Sequence, residues 1–299
     1  MKVFPYIILL LCMTMSAACH RKPAPIVIIP DIEKNHLQHN HIFGTVKNME
    51  TRTFYLQPDS LTLQDSARAR TLTEKRDSDR MFSNHYSYDG CLLRFFKINA
   101  DGDTLLQRLY QYNDRAQIAQ WTEFSGPSPT THGVFSYDRN HFVESEKIYY
   151  QDSLVMSFSH KTDGIGNIIA TTQDNQDFVI NTRYHYNDNG LVDKIEELEP
   201  DGTVFKTVNI EYDNYGDEVN RCVYKAGHQL VEYTYTQYDQ DGRILKTIYE
   251  DKLHNQKEIN YYTDFDSARN WRIEYTILNN QLVSIRKRNI NYYQQHGFK

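Results

Sequence analysis

The chain predicts an all-β fold: an antiparallel β-meander of roughly sixteen to eighteen strands, strongly twisted or curled, built from tandem hairpins about 25 residues long. Three observations predict it. First, Tyr-Asp stands at Tyr88-Asp89, Tyr137-Asp138, Tyr212-Asp213 and Tyr238-Asp239, with Tyr112-Asn113, Thr162-Asp163, Tyr186-Asn187 and Phe265-Asp266 in the gaps. The steps between them are 24, 25, 25, 24, 26, 26 and 27. Second, the chain carries 23 Tyr at only 39% apolar residues, a composition that suits thin, half-wet sheets better than a thick aliphatic core. Third, no proline falls inside a proposed strand, where it would delete a ladder hydrogen bond. Pro5 lies near the start, Pro23, Pro25 and Pro30 in a tether, and Pro58, Pro127, Pro129 and Pro200 in turns or loops.

Residues 1–18 read as an export signal. Lys2 gives the positive end, Val3 to Met15 an apolar run too short to span a bilayer comfortably, and Ser16-Ala17-Ala18 the small residues before Cys19. Small residues just before a Cys resemble the bacterial lipobox, which makes Cys19 a lipidation site and implies a membrane partner through that lipid. Ser16 departs from the Leu usual in that motif, and cleavage near Ala18 by ordinary signal peptidase is the competing reading. Residues 19–41, with their spaced prolines, read as a tether. The repeat domain then runs over 42–293, and 294–299 is a tail. Residues 59–80, rich in Ser, Thr, Arg, Asp and Lys without apolar alternation, are a polar insertion, either a loop or a short surface helix.

One unit shows the logic. Asn187-Asp188-Asn189-Gly190 is a turn, Leu191 to Leu198 a strand, Glu199-Pro200-Asp201-Gly202 a second turn, and Thr203 to Tyr212 the returning strand. Strands joined by such tight turns pair antiparallel. Gly166, Gly190, Gly216 and Gly242 each sit four residues after the first motif position, where a positive φ is wanted. Gly90 arrives two residues early, while Ala116, His141 and Arg269 replace glycine; the neighbouring Asn140 and Asn270 are candidates for the left-handed residue at two of those corners.

Tyr-Asp-x-x-Gly followed by a small apolar residue, at this step, resembles the YD repeat of the RHS and teneurin families. An export signal ahead of a few such repeats, ending in the aromatic-rich Ile290-Asn291-Tyr292-Tyr293, resembles the YD-repeat lipoproteins of Bacteroidetes. The resemblance implies structural roles for Tyr88, Tyr112, Tyr137, Tyr186, Tyr212, Tyr238 and Phe265. The large family members wind into shells around cargo; this chain has too few repeats for that container.

The chemistry-bearing residues form few constellations. The chain has no Gly-x-Ser-x-Gly elbow, His-Glu-x-x-His, phosphate loop or dinucleotide fingerprint, so no enzyme, cofactor or metal is expected. His36, His39 and His41 read as linker histidines, and the Asp-rich segments near Asp101 and Asp241 as turns rather than calcium loops. A formal charge of −6 argues against nucleic acid. Cys91 and Cys222 read as separate buried thiols. Arg286-Lys287-Arg288 alternates between faces and reads as protection of a terminal edge strand. The aromatic rows, with Trp121 and Trp271 as exposed candidates, are the one plausible recognition element. The expectation is a non-catalytic, lipid-anchored cell-envelope protein with a structural or binding role, placed at the outer membrane facing the periplasm. A carbohydrate- or peptide-recognition module with an envelope protein or glycan partner is the alternative, and an envelope hydrolase a third.

Overall fold

A computed structural model describes residues 42–56, 61–74 and 78–294. The export signal, Cys19, the histidine cluster and Pro58 lie outside the described residues. Eighteen strands follow one another: β1 (Val46–Tyr55), β2 (Arg80–Tyr86), β3 (Leu92–Asn99), β4 (Thr104–Tyr112), β5 (Ile118–Phe124), β6 (Pro129–Tyr137), β7 (Val143–Tyr150), β8 (Ser153–Thr162) and β9 (Ile168–Asp174) make the first half. The second half is β10 (Val179–Tyr186), β11 (Val192–Leu198), β12 (Val204–Tyr212), β13 (Glu218–Lys225), β14 (Gln229–Tyr238), β15 (Ile244–Asp251), β16 (Gln256–Phe265), β17 (Trp271–Leu278) and β18 (Gln281–Tyr292). Every pairing is antiparallel and between sequence neighbours, and β1 pairs with both β2 and β18. The meander is therefore a closed barrel.

Closure corrects one expectation. β18 is no edge strand: it pairs with β1 from Val46↔Tyr292 to Tyr55↔Ser284. Edge protection thus has nothing to protect there, because a ring has no free ladder groups. Pro129 is also not in a loop; it opens β6 opposite Phe124, a first-residue position that proline tolerates.

The repeat corners all lie on one rim. At all but the first, an Asp or Asn side chain replaces a missing backbone partner. Asp213 Oδ1 accepts from the Tyr215 and Asp217 amides at 2.8 and 3.0 Å, and Asn187, Asp239 and Asp266 repeat the pattern. At five corners the Tyr hydroxyl ties the hairpin to the one before. Tyr112 donates to the Leu92 carbonyl, Tyr137 to Ile118, Tyr186 to Ile168, Tyr212 to Val192 and Tyr238 to Glu218, at 2.6–3.3 Å. Burial pushes the Tyr137, Tyr186 and Tyr212 phenols up to about 12. Phe265 holds the same position without a hydroxyl; the Arg243 guanidinium lies 5.3 Å from its ring centre.

The first corner is shifted relative to the sequence reading. Tyr86 pairs with Leu92 across the bulge, as Tyr112 does with Ile118, and the Cys91 amide bonds Ser87 Oγ at 3.0 Å. Tyr86-Ser87 therefore takes the structural role expected of Tyr88-Asp89. Gly90, at φ +82°, then sits in register, four residues on. The left-handed residue at the three glycine-free corners is the motif residue itself: Ala116, His141 and Arg269 have φ of 58°, 68° and 72°. Neither Asn140 nor Asn270 takes that conformation.

These corners give a paired prediction. A Cβ on Gly166 would stand 2.5 Å from the Phe142 ring at φ +98°, so Gly166→Ala should destabilise by about 1–3 kcal/mol. Ala116→Gly relieves a left-handed alanine and should stabilise by up to ~1 kcal/mol. Urea midpoints of the two variants should move in opposite directions; a shift of the same sign would refute the account of the corners.

On the opposite rim the turns are two to five residues long, except after β1. There Thr62 and Asp65 bond each other at 2.9 Å through the Thr62 amide and hydroxyl, and a 3₁₀ turn (Leu63–Asp65) leads into α1 (Ser66–Glu74). Of the two forms read for the polar insertion, the helix is the one present. Ala69, with Leu61 and Leu63 nearby, packs on Ile273, Tyr275, Ile277, Leu282 and Ile285.

Carrying the register around the ring gives two faces. Trp121, Glu146, Ile195, Val208, Glu274 and Arg286 share one, here the indole face. Arg52, Lys147, Arg183, Lys246, Tyr275 and Lys287 share the other, the helix face, which α1 covers over β16–β18. The core is correspondingly divided: one cluster under α1, one on the indole face of β10–β14 (Val192, Ile195, Val208, Ile210, Val223, Val231), and one at the β1–β18 seam (Ile42, Val46, Met49, Tyr86). Each repeat buries its apolar residues against its neighbours, as expected of a tandem array.

Candidate binding site

The two tryptophans are not the exposed platforms that the sequence suggested. Trp121 is 8% and Trp271 6% exposed. Each is the centre of a buried cation–indole–carboxylate stack. Arg108 lies 4.4 Å over the Trp121 ring and bonds Glu123 at 2.5 Å, while Trp121 Nε1 donates to Glu146 at 2.9 Å. The indole reaches β7 because β6 presents Gly133 between them; a Cβ there would stand 2.3 Å from Nε1. Burial raises the Glu146 pKa, against the lowering effect of the indole N–H and of Arg108. At the second tryptophan, Arg288 lies 3.5 Å and Arg286 5.8 Å from the Trp271 ring centre, and Tyr262 packs at 5.5 Å. Arg286 also bonds Glu274, which is fully buried. Both groups have structural partners on every side that the sheet supplies, so they read as packing devices.

Other sequence candidates are similarly absorbed. Cys91 and Cys222 are free, as expected, but half-buried rather than buried, and burial raises the Cys91 pKa. Lys287 points to the helix face, 5.4 Å from the Phe54 ring, while Arg286 and Arg288 take the indole face, so the alternation of that basic run holds. On the helix face Glu196 gathers Lys194, His185 and Arg183. Its bonds to Lys194 and His185 pull the carboxyl down to about 2. Among the described residues no group of three His, Cys, Asp or Glu side chains could hold a metal ion.

What sequence reasoning missed is the seam. Where the last strand meets the first, Lys47, Asn48, Tyr88, Asn291, Tyr292, Tyr293 and Gln294 line an open cleft of about 650 Å³. The seam itself is firmly built. Asn270 bonds both the amide and the carbonyl of Phe43 at 2.8 Å and donates to Tyr292 Oη, which in turn donates to Asp266. Tyr293 donates to the Tyr86 carbonyl at 2.7 Å, closing the ring with the bond that ties one hairpin to the next elsewhere. Burial and the Asp266 carboxylate raise the Tyr292 pKa. Tyr88, relieved of a structural role by Tyr86, is 59% exposed and meets Tyr293 edge-on, centroids 5.5 Å apart at 65°. One signal for this was present in the sequence: Gly90 follows Tyr88 by two residues rather than four, which puts Tyr88 out of phase with the other corners.

No protein-family model matches the chain, and no curated protein matches it in sequence. Among solved structures it is similar to a crystal structure of TcdB2-TccC3-TEV, at 13% identity and a TM-score of 0.34, over 74% of this chain and 15% of that one. It is also similar to a porin-like protein from Bacteroides uniformis ATCC 8492, at 9% identity and a TM-score of 0.42, over 83% of this chain and 98% of that one. The chain thus spans about 15% of the length of the first.

Proposed function

We propose that the protein is a non-catalytic YD-repeat barrel of the bacterial cell envelope, anchored by a lipid on Cys19 at the periplasmic side of the outer membrane, with a structural or binding role. One observation carries the choice of a water-borne, tethered body over a barrel that itself crosses the membrane. A spanning barrel needs an outward apolar band ~25 Å tall, and a Lys or Arg at the midplane of that band costs about 2–4 kcal/mol. Here both faces are charged: Arg108, Glu146, Lys206, Arg221 and Glu274 on the indole face, Arg52, Lys147, Lys161, Arg183 and Lys246 on the helix face. The helix face, where the Arg52 and Arg183 side chains are exposed, suits water, and the charges of the indole face are as foreign to lipid.

The test separates anchor from barrel. The native chain should incorporate labelled palmitate and partition into detergent. With residues 1–19 exchanged for a leader cut by ordinary signal peptidase, the remainder should leave the periplasm as soluble, strand-rich protein. A body that still needs detergent to stay in solution would be a spanning barrel and would end this reading. Within it, recognition of a carbohydrate is favoured over that of a peptide, because a closed ring offers no strand edge for a peptide to extend.

A further inference from the structure

We propose that the seam cleft is a binding site for a neutral saccharide, with Tyr88 as its stacking platform; this deepens the carbohydrate reading above and rests on it. The argument begins with a residue the architecture does not need. Each of the eight corners has a residue two places after its aromatic or Thr position: Asp114, Arg139, Gly164, Asp188, Asn214, Gln240, Ser267 and, at the first, Tyr88. Seven are small, polar or charged, as a solvent-facing turn prefers. Only the first is aromatic, and it stands at one of the two corners that flank the closure of the ring. The phenol packs edge-on against Tyr293, which fixes the ring and leaves it 59% exposed.

The remaining lining matches the same chemistry. Asn291 and Gln294 are exposed, and each brings an amide that both donates and accepts, the complement of sugar hydroxyls, which do the same. A rigid Tyr ring offers a flat apolar face to the C–H side of a pyranose at small entropic cost. Among the described residues Lys47 is the one charged residue of the lining, so these residues bring no paired cations to select a polyanion and no carboxylate to hold a cation. Its volume, about 650 Å³, lies within the ~300–1,000 Å³ usual for small-molecule sites and admits a short oligosaccharide. The floor is held by the Asn270, Tyr292 and Tyr293 bonds across the seam, so the site is formed before a ligand arrives.

The experiment uses the full-length protein in detergent on an array of neutral and charged glycans, with short peptides alongside. The strongest neutral hit is then titrated calorimetrically. Tyr88→Ala should weaken binding at least tenfold, Tyr88→Phe should keep it within about threefold, and Asn291→Ala should weaken it without changing the circular dichroism. Tyr215→Ala, which removes an 85% exposed tyrosine at another corner, should bind as the wild type does. An array with no neutral hit, binding of peptides or polyanions alone, or a hit indifferent to Tyr88→Ala and Asn291→Ala would each overturn the proposal. Lipid anchoring is read in a separate assay, so this failure would leave the anchored-barrel reading standing.

Discussion

Replacing Arg286 by Met should destabilise the barrel by about 3–5 kcal/mol, among the largest effects of any single substitution in this chain. Glu274 has no solvent exposure, and Arg286 is its charged partner across the β17–β18 ladder. Removing the guanidinium takes the charged partner from a carboxylate with no solvent exposure, and burying a charge with less compensation is costly. Arg286→Lys should recover only part of the loss, since a compact ammonium lacks the planar fork and stacks poorly near the Trp271 ring. The double variant Glu274→Met/Arg286→Met should recover more, because it removes the stranded charge along with its partner. Chemical denaturation of the wild type, Glu274→Met, Arg286→Met and the double variant gives the coupling energy directly. If the double variant is as unstable as the sum of the two singles, the pair is not coupled and the stability of this region comes from packing alone.

Much of this architecture was legible because the repeat writes local chemistry into local sequence. An Asp or Asn after the aromatic accepts two amides, a left-handed residue follows at a fixed distance, and both requirements recur about every 25 residues. The same logic explains the misplaced first corner. Ser87 can accept the Cys91 amide as Asp accepts it elsewhere. The letters Tyr-Asp therefore fall at Tyr88, whereas the backbone requirement, a glycine four residues on, is met from Tyr86. Where residue type and backbone geometry disagreed, geometry was the better guide. Ala116, His141 and Arg269 make the same point from the other side, since each adopts the left-handed conformation itself rather than passing it to a neighbouring Asn.

Closure and the seam were not legible, for a different reason. Tyr86 and Tyr293 are 207 residues apart, and Phe43 and Asn270 are 227 apart. No periodic signal within a strand says whether the last strand meets the first, because that depends on the summed twist of all eighteen. The reversal of roles at Arg286 and Arg288 follows from this. On an open edge those cations would face solvent and repel an added strand. Inside a ring Arg286 bonds Glu274 and Arg288 stacks on Trp271, so the desolvation of the one is offset by the carboxylate and that of the other by the indole. The two tryptophans were misread in the same way, since exposure is a property of which strands come to lie side by side.

Gly133→Ala should cost about 3 kcal/mol, because its new methyl would meet the body of the Trp121 ring rather than the end of a flexible chain. Nε1, Cε2 and Cζ2 would all stand within 2.8 Å of that carbon, so the indole must leave its place. Leaving breaks the N–H bond to Glu146, a second loss that a simple clash would not produce. The two can be separated. In a Trp121→Ala background, itself costing about 3–5 kcal/mol, Gly133→Ala should be nearly neutral, since the space it needs is empty. Trp121→Phe keeps most of the ring but drops the N–H donor, which has been holding down a pKa that burial raises. The folded-state pKa of Glu146 should therefore rise further above its unfolded value. A raised carboxyl contributes its full stability below the unfolded pKa, and that contribution is lost as pH rises through the folded one. The penalty of Trp121→Phe should accordingly be small near pH 4 and grow toward neutrality, where the carboxylate is charged and missing its donor. A penalty that is flat across this range, or one that shrinks as pH rises, would mean that Glu146 is not held by the indole, and that Gly133 serves only to make room.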